Sequence, residues 1–367
     1  MSIGQGPDAN DSNTTNIHVG VDMSIVRHPF AGSARWAVGI ARALASQPGI
    51  TTTAWPGRER FGWSNSSRKV ANWALDRYWY EVELPRLVRK QRCDVLFLPV
   101  NLVARRTRIP QVVSILDVNF MSAPGTYDRA FQAYAMRQYS RSIHQADRVT
   151  TISDFSRQQL ATVFDVDPAA IDVIYPGLNA PRTASAARPI DRPYALYVGA
   201  TEPHKNVPLA IEAWRRSPSL DVGLAIVGQP GRAHDDVLRL ASRDPRITVV
   251  GAVDDRTLDQ WYQHAEVFVF PSIAEGFGFP PLEAMQYGIP VIAARSGPLP
   301  EVLGDAACYH APESWEELAA GVTRLLSDLP LRLSKIAAGH ERAGRYTWSS
   351  SGAKLAELLA STVGRPA

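Results

Sequence analysis

Two α/β domains, each built on a doubly wound parallel sheet, are the fold class that this chain predicts, and three observations carry that expectation. At 367 residues the chain exceeds what one hydrophobic core usually serves. Short β-branched runs alternate with amphipathic segments along its length, the pattern of parallel strands covered by helices on both faces. Near the middle, the stretch Ala180–Pro193 (APRTASAARPIDRP) interrupts that rhythm with Pro, Ala and Arg and no apolar periodicity, as a linker does.

The elements follow in chain order. Residues 1–16 are mostly Gly, Asn, Asp, Ser and Thr without an apolar core, which predicts a disordered tail rather than a secretion leader, and hence a cytoplasmic chain. In the first domain, 17–180, strands are expected at Ile17–Asp22, Thr51–Trp55, Asp94–Pro99, Gln111–Asp117, Arg148–Ser153 and Asp172–Tyr175. After a linker at 181–193 the rhythm restarts in a second domain, 194–345, with strands at Ala195–Ala200, Val222–Gly228, Ile247–Ala252, Val267–Ser272 and Pro290–Ala294. Beyond Pro312 the sequence reads as helical, ending in a segment at 346–367.

Composition narrows the function classes. A hydrophobic content of 45% against 20% charged is globular, and no apolar run approaches the ~20 residues that span a bilayer. Cys93 and Cys308 are far apart in sequence, which predicts reduced, partly buried thiols rather than a disulfide, and neither is a catalytic candidate. Residues 1–190 hold 22 of the 39 Lys and Arg but 15 of the 36 Asp and Glu, so the first half is basic and the second acidic. Arg86, Arg89, Lys90 and Arg92, with Arg105, Arg106 and Arg108, form either a face for an anionic acceptor or membrane or a plain solvated surface. No nucleic-acid reader motif accompanies them, and the first strand leads to no G-x-G-x-x-G, which disfavours a dinucleotide oxidoreductase.

The most informative stretch is Val267–Glu283, VFVFPSIAEGFGFPPLE: an apolar strand, a glycine-containing loop, then a helix opened by Pro280-Pro281. Such a loop lies at the carboxyl end of a parallel strand, where the backbone of Gly276, Phe277 and Gly278 and the helix N-terminus can receive a diphosphate. Glu275 and Glu283 cannot hold phosphate, because like charges repel, so their natural partners are hydroxyls. In Leu196–Asn206, LYVGATEPHKN, a strand ends at Gly199 and Lys205 follows within reach of a diphosphate.

These motifs resemble glycosyltransferase family 4. E-G-F-G-x-P-x-L-E-A-M is similar to that family's signature, which implies that Glu275 contacts the transferred sugar and Glu283 the nucleotide ribose; capping of a loop and a helix start is the plainer alternative. LYVGATEPHKN resembles the family's Y-V-G-x-x-E-P-R-K-N element, with His204 in place of a frequent Arg, Ala200 where a second phosphate-binding Arg often stands, and Lys205 as the implied diphosphate cation. Ser296–Ala307 (SGPLPEVLGDAA) and Gln145–Ser156 (QADRVTTISDFS) extend the likeness, leaving Gly297 and Glu301 either at the cleft or in plain turn and helix-start roles. Gly32-Ser33-Ala34-Arg35-Trp36 matches the position of the family's flexible first loop, where Gly32 either approaches a phosphate or makes a tight turn. In VSILDVNF, Leu116 stands where many relatives carry His; Asp117 then orients a hydroxyl or caps a turn, and His28 is a substitute or a surface residue.

The resemblance implies the GT-B fold, two Rossmann-like domains facing across a cleft with the last helix packing back on the first. It also implies a retaining hexosyltransferase, with attack from the leaving-group face and the diphosphate oxygen taking the acceptor's proton. The implied catalytic residues are Glu275, Lys205 and Asp117. Gly32, Gly199, His204, Lys205, Glu275, Gly276, Phe277, Gly278 and Glu283 are the expected contacts of the donor. With no DxD pair after a strand and no His/Cys cluster, protein cations rather than a metal are expected on the diphosphate, and no cofactor. The flavour of these segments resembles mannosyl- and rhamnosyltransferases of surface polysaccharide, so GDP-mannose leads, with UDP-glucose or another hexose donor behind. The acceptor is expected to be a saccharide or lipid-linked saccharide, with peripheral contact at the inner face of the plasma membrane as an option. Trp63, Trp73, Tyr78, Trp79 and Tyr80 either stack on sugar, rest on headgroups or pack the core. A silent nucleotide-sugar sensor and a sugar-nucleotide epimerase are the alternatives.

Overall fold

A computed structural model describes residues 16–26, 32–56, 66–122, 127–182 and 187–364. The tail before Asn16, His28, Trp63 and linker residues 183–186 lie outside the described residues. Two Rossmann-like domains face each other across a cleft, each with a six-stranded, all-parallel sheet. The first sheet contains β1 (Ile17–Asp22), β2 (Ile50–Trp55), β3 (Val95–Leu98), β4 (Gln111–Ser114), β5 (Arg148–Thr151) and β6 (Ile171–Val173), in the order β2-β1-β3-β4-β5-β6. The second contains β7 (Tyr194–Val198), β8 (Gly223–Val227), β9 (Ile247–Gly251), β10 (Val267–Phe270), β11 (Val291–Ala294) and β12 (Ala307–His310), in the order β12-β11-β10-β7-β8-β9.

Burial explains why these runs are strands. Every residue of β3, β4, β7, β8, β10 and β11 is buried, as parallel strands covered on both faces must be. Strand order reverses between β1 and β3 and between β7 and β10, and ligands of open α/β sheets bind outside the carboxyl ends at such points. The apolar runs after β4 and β5 outlast their ladders: Ile115, Leu116 and Ile152 stay buried while the chain leaves the sheet for the cleft.

One strand corrects the sequence reading, which ended its strands at Ala294. β12 adds an edge strand on β11, from Ala307↔Val291 to His310↔Ala294. Ala-Cys-Tyr-His carries no β-branched residue, and Cys308 and Tyr309 are only half-buried, so the strand lacks the signature of its neighbours. Both cysteines are free, Cys93 buried just before β3 and Cys308 half-buried in β12. Burial pushes the Cys93 thiol up to about 11 and raises Cys308 as well, which suits neither to thiolate chemistry.

The helix Trp348–Val363 follows the second domain and lies along the first domain's helix Gly32–Ala45. Trp348 meets Trp36 with ring centroids 6.2 Å apart, and Ser351 Oγ donates to the Tyr175 carbonyl at 2.6 Å. At the entry to this helix, Leu178 N donates to the Tyr346 carbonyl at 3.0 Å. Gly177 permits that approach, because a Cβ there would stand 2.1 Å from Trp348 N. Gly177→Ala is therefore expected to cost about 2 kcal/mol or more by forcing two backbones apart. A denaturation midpoint equal to the parent's would refute this reading of the crossing.

Candidate functional site

The loop after β10 and the loop after β7 are bonded to each other, and this fixes the two charged residues between them. Ile273 N donates to the His204 carbonyl at 2.9 Å, and Ser272 Oγ to the same oxygen at 3.3 Å. A 3-10 turn, Pro203–Lys205, closes on Asn206 in the left-handed region, and Asn206 Nδ2 donates to the Pro312 carbonyl at 3.1 Å. Lys205 Nζ thereby meets Glu275 Oε1 at 2.6 Å, with the two side chains only 18% and 12% exposed. Beneath them, the ends of β7 and β8 are so close that a Cβ on Gly228 would fall 2.1 Å from the Gly199 carbonyl oxygen.

Asp117 arrives from the first domain. Its Oδ1 accepts from Asn119 N at 3.0 Å, and its Oδ2 lies 2.8 Å from where a Gly276 Cβ would be. It thus caps a turn and faces the cleft at once. Burial raises its carboxyl above the usual aspartate range, with Glu275 adding to the rise while the Asn119 N–H and Lys205 oppose it. Leu116, by contrast, is buried in the core, its carbonyl accepting from Thr151 Oγ1 at 3.2 Å.

Glu283, on the helix Phe279–Gln286, has two partners. Its Oε1 receives the Arg35 guanidinium from the first domain, and its Oε2 accepts from Tyr262 Oη at 3.1 Å. Arg35 also lies over the Phe279 ring, 4.5 Å from its centroid. The pair stands in the wall of an inter-domain cavity of about 680 Å³, which extends past Tyr262, Asp255 and Arg182 towards Trp348.

The remaining expected contacts take several forms. Gly278, at φ +101°, starts the Phe279–Gln286 helix in a conformation that side chains resist. Pro280 and Pro281 contribute no N–H, so the amides of Phe279 and Leu282 are the donors left in that first turn. The Phe277 side chain packs beneath the loop against Phe279 and Tyr346, each 5.3 Å away, leaving only its backbone for the cleft. Burial lowers the His204 imidazole, helped by the Lys205 charge, and its buried Nδ1 has no partner. Gly32 is exposed at the start of its helix, and a Cβ there would meet no described residue within 4 Å.

Cross-domain bonds complete the arrangement. Ser153 Oγ donates to the Gly276 carbonyl at 2.8 Å. Glu301 accepts from the Asp154 and Phe155 amides, both at 2.7 Å, and from Tyr175 Oη at 2.8 Å. Glu301 therefore caps the first domain's helix Asp154–Phe164 from the second domain. Among the described residues, no group of three or more His, Cys, Asp or Glu is arranged to hold a metal ion.

With this geometry in place, comparison with known proteins is direct. Residues 183–342 match the family model described as glycosyl transferases group 1, and residues 30–182 match that of glycosyltransferase family 4. The chain belongs to glycosyltransferase family 4. Its curated relatives include the O-antigen chain mannosyltransferase B of Escherichia coli, 29% identical over 65% of this chain and 67% of that one. Another is the D-inositol 3-phosphate glycosyltransferase of Mycolicibacterium paratuberculosis, 30% identical over 56% of this chain and 51% of that one. The matched stretches thus span between half and two thirds of these relatives. Among solved structures, the sucrose-phosphate synthase of Thermosynechococcus elongatus shares the GT-B fold at a TM-score of 0.77, with 18% identity over 94% of this chain and 98% of that chain.

In this family 4 chain the sequence reading missed Arg35 as a partner of Glu283, and Arg232. Arg232 Nε donates to Glu202 Oε2 at 2.8 Å, while its guanidinium stacks across the cleft on Tyr127, 5.3 Å from the ring centroid. No local spacing announces either one. Of the aromatic cluster, Trp79 and Tyr80 are core residues that donate to the buried Asp22 at 3.1 and 2.8 Å. Tyr78 is exposed, and Trp73 stacks on Tyr134. The basic residues Arg86, Arg89, Lys90, Arg92, Arg105, Arg106 and Arg108 are all exposed, Arg105 pairing with Glu81 at 2.7 Å. No helix among the described residues is long and apolar enough to cross a membrane.

Glu301→Ala uncaps two amides of the Asp154–Phe164 helix, and the expected loss is about 2 kcal/mol. Chemical denaturation measures it, and amide exchange at Phe155 is expected to accelerate in the same variant. Unchanged exchange there would contradict the cap.

Proposed function

We propose that this chain transfers a hexose, with mannose or a related sugar preferred, from a nucleotide-diphosphate donor to a saccharide or lipid-linked saccharide in the assembly of a surface glycan. The observation that carries the reading is the Lys205–Glu275 contact at 2.6 Å, held by two bonded loops at the switch point of the second sheet and faced by Asp117 from the first. A mannosyltransferase of O-antigen chains among the relatives supports the choice of sugar and product.

In this reading the diphosphate lies along the Gly276–Gly278 backbone, and Lys205 neutralises charge that grows on the departing oxygen. Glu275 exchanges its ammonium partner for hydroxyls of the transferred sugar, and Glu283 exchanges Arg35 for the ribose hydroxyls. The acceptor hydroxyl attacks the anomeric carbon on the face that the diphosphate leaves. The bond from that carbon to the phosphate oxygen breaks, and the same phosphate oxygen takes the acceptor's proton, which gives retention. Asp117 orients the hydroxyl. No protein base is then required, which is consistent with an apolar residue at Leu116. Protein cations rather than a metal ion hold the diphosphate, so transfer is expected to persist in a chelator.

Incubation with GDP-mannose, UDP-glucose and dTDP-sugars, scored for released nucleotide with and without acceptor, tests the reading. Acceptor-dependent release is expected, and GDP is expected to bind most tightly in a calorimetric titration against UDP and dTDP. Binding without any turnover would instead indicate a sensor, and a changed donor sugar an epimerase. Glu275→Ala is expected to lower kcat by about 100-fold or more while leaving the circular dichroism spectrum intact. Lys205→Met removes a charge-assisted contact and is expected to weaken nucleoside diphosphate binding about tenfold or more. Undiminished turnover in the first variant, or unchanged affinity in the second, refutes the role assigned to that residue.

A further inference from the structure

The first domain holds a second cavity, of about 490 Å³, that the donor chemistry leaves unused. Leu102 and Val103 line it just past the carboxyl end of β3, the neighbour of β4, whose far end leads to Asp117. The cavity therefore lies on the sheet edge where an acceptor would approach the reacting centre. The helix Ser66–Tyr78 supplies one wall and the helix Arg129–Gln145 the other.

Two features define its chemistry. Trp73 and Tyr134 stack with ring centroids 4.9 Å apart and planes 8° from parallel, and the buried Trp73 Nε1 has no hydrogen-bond partner. A buried indole N–H in that state calls for an acceptor atom. Around the rings stand four guanidinium groups, Arg77, Arg105, Arg137 and Arg141, against two carboxylates. Glu81 already takes Arg77 at 3.3 Å and Arg105 at 2.7 Å. Arg141 donates to the neutral Gln145 Oε1 at 2.9 Å, and Arg137, one turn earlier on the same face, has no hydrogen bond or ion pair among the described residues. Among the described residues, neither Arg137 nor Arg141 forms an ion pair with a carboxylate.

We propose that this cavity is the acceptor subsite and that it takes an anionic saccharide. Its phosphate or carboxylate meets Arg137 and Arg141, its ring lies against the aromatic pair, and one of its oxygens accepts from Trp73 Nε1. This rests on the glycosyl-transfer reading and adds to it the class of acceptor. Among the described side chains of these two helices, Tyr78 alone is a large exposed hydrophobic, too little for insertion into lipid, which favours a saccharide over a membrane surface.

The test is a ligand-observed NMR titration of the full chain with glucose 6-phosphate, glucuronic acid and glucose, with nucleoside diphosphate present. The two anionic sugars are expected to bind and glucose about tenfold more weakly, the loss of one charge-assisted contact. The double variant Arg137→Gln, Arg141→Gln is expected to weaken glucose 6-phosphate by about tenfold or more, with nucleoside diphosphate affinity unchanged. Arg137→Gln alone alters an exposed side chain with no ion pair among the described residues, so it serves if the double variant does not fold. Trp73→Phe, which keeps a ring and removes the N–H, is expected to weaken all three sugars. Unaltered glucose 6-phosphate binding in the arginine variants overturns the proposal, as does displacement of nucleoside diphosphate by the sugar phosphate. Equal affinity for inorganic phosphate also overturns it, and so does arginine-dependent binding to phosphatidylglycerol vesicles without binding to the sugars. If the anionic sugars fail to bind while nucleoside diphosphate binds and Glu275-dependent turnover persists, only the acceptor assignment falls.

Discussion

Gly276 stands where the two domains touch, and the contact leaves room for a hydrogen atom and nothing larger. A Cβ there would lie 2.8 Å from Asp117 Oδ2 and 3.1 Å from Ile152 Cδ1, while the glycine carbonyl accepts from Ser153 Oγ at 2.8 Å. The polar groups of the cleft are placed relative to this approach. Glu275 precedes it by one residue and reaches Lys205; Gly278 follows it by two and turns the chain into the helix that carries Glu283. Glu301 fixes the same junction from the side, by bonding two amides and a phenol of the other domain.

Two acids of the cleft are each held by a positive partner. Glu275 has Lys205 and Glu283 has Arg35, both pairs partly shielded from water. Desolvation makes such pairs poor sources of net stability, but it also makes an unpartnered carboxylate in the same place costly. A polyol offers hydroxyl donors that satisfy a carboxylate without adding charge, which is the exchange of partners that the proposed transfer requires. Asp117 differs, for among the described residues it forms no ion pair and burial raises its carboxyl.

Much of this could be read from residue order. Eleven of the twelve strands overlap runs that the sequence marks, because most of the central ones, buried on both faces, are continuously hydrophobic and the edge strands β2, β6 and β9 still carry β-branched residues. β12 escaped because it is half open to water and carries no β-branched residue. The loop after β10 was legible through its local turn, for Gly278 answers a positive φ, whereas the crowding at Gly276 comes from Asp117 and Ile152 of the other domain. Phe277 was only half legible, because the sequence placed it in the loop but could not tell that its ring turns inward onto Tyr346.

By itself, the sequence determined which segments form all but one of the strands, where the backbone must bend and which acids cannot serve phosphate, because propensity, sterics and charge act over short spans of chain. The tertiary structure alone decided which charges meet. Arg35 and Glu283 are 248 residues apart, and the Phe155 amide and Glu301 are 146 apart. Partners at such separations are chosen by how two sheets and the returning helix Trp348–Val363 pack, and no local pattern encodes that geometry.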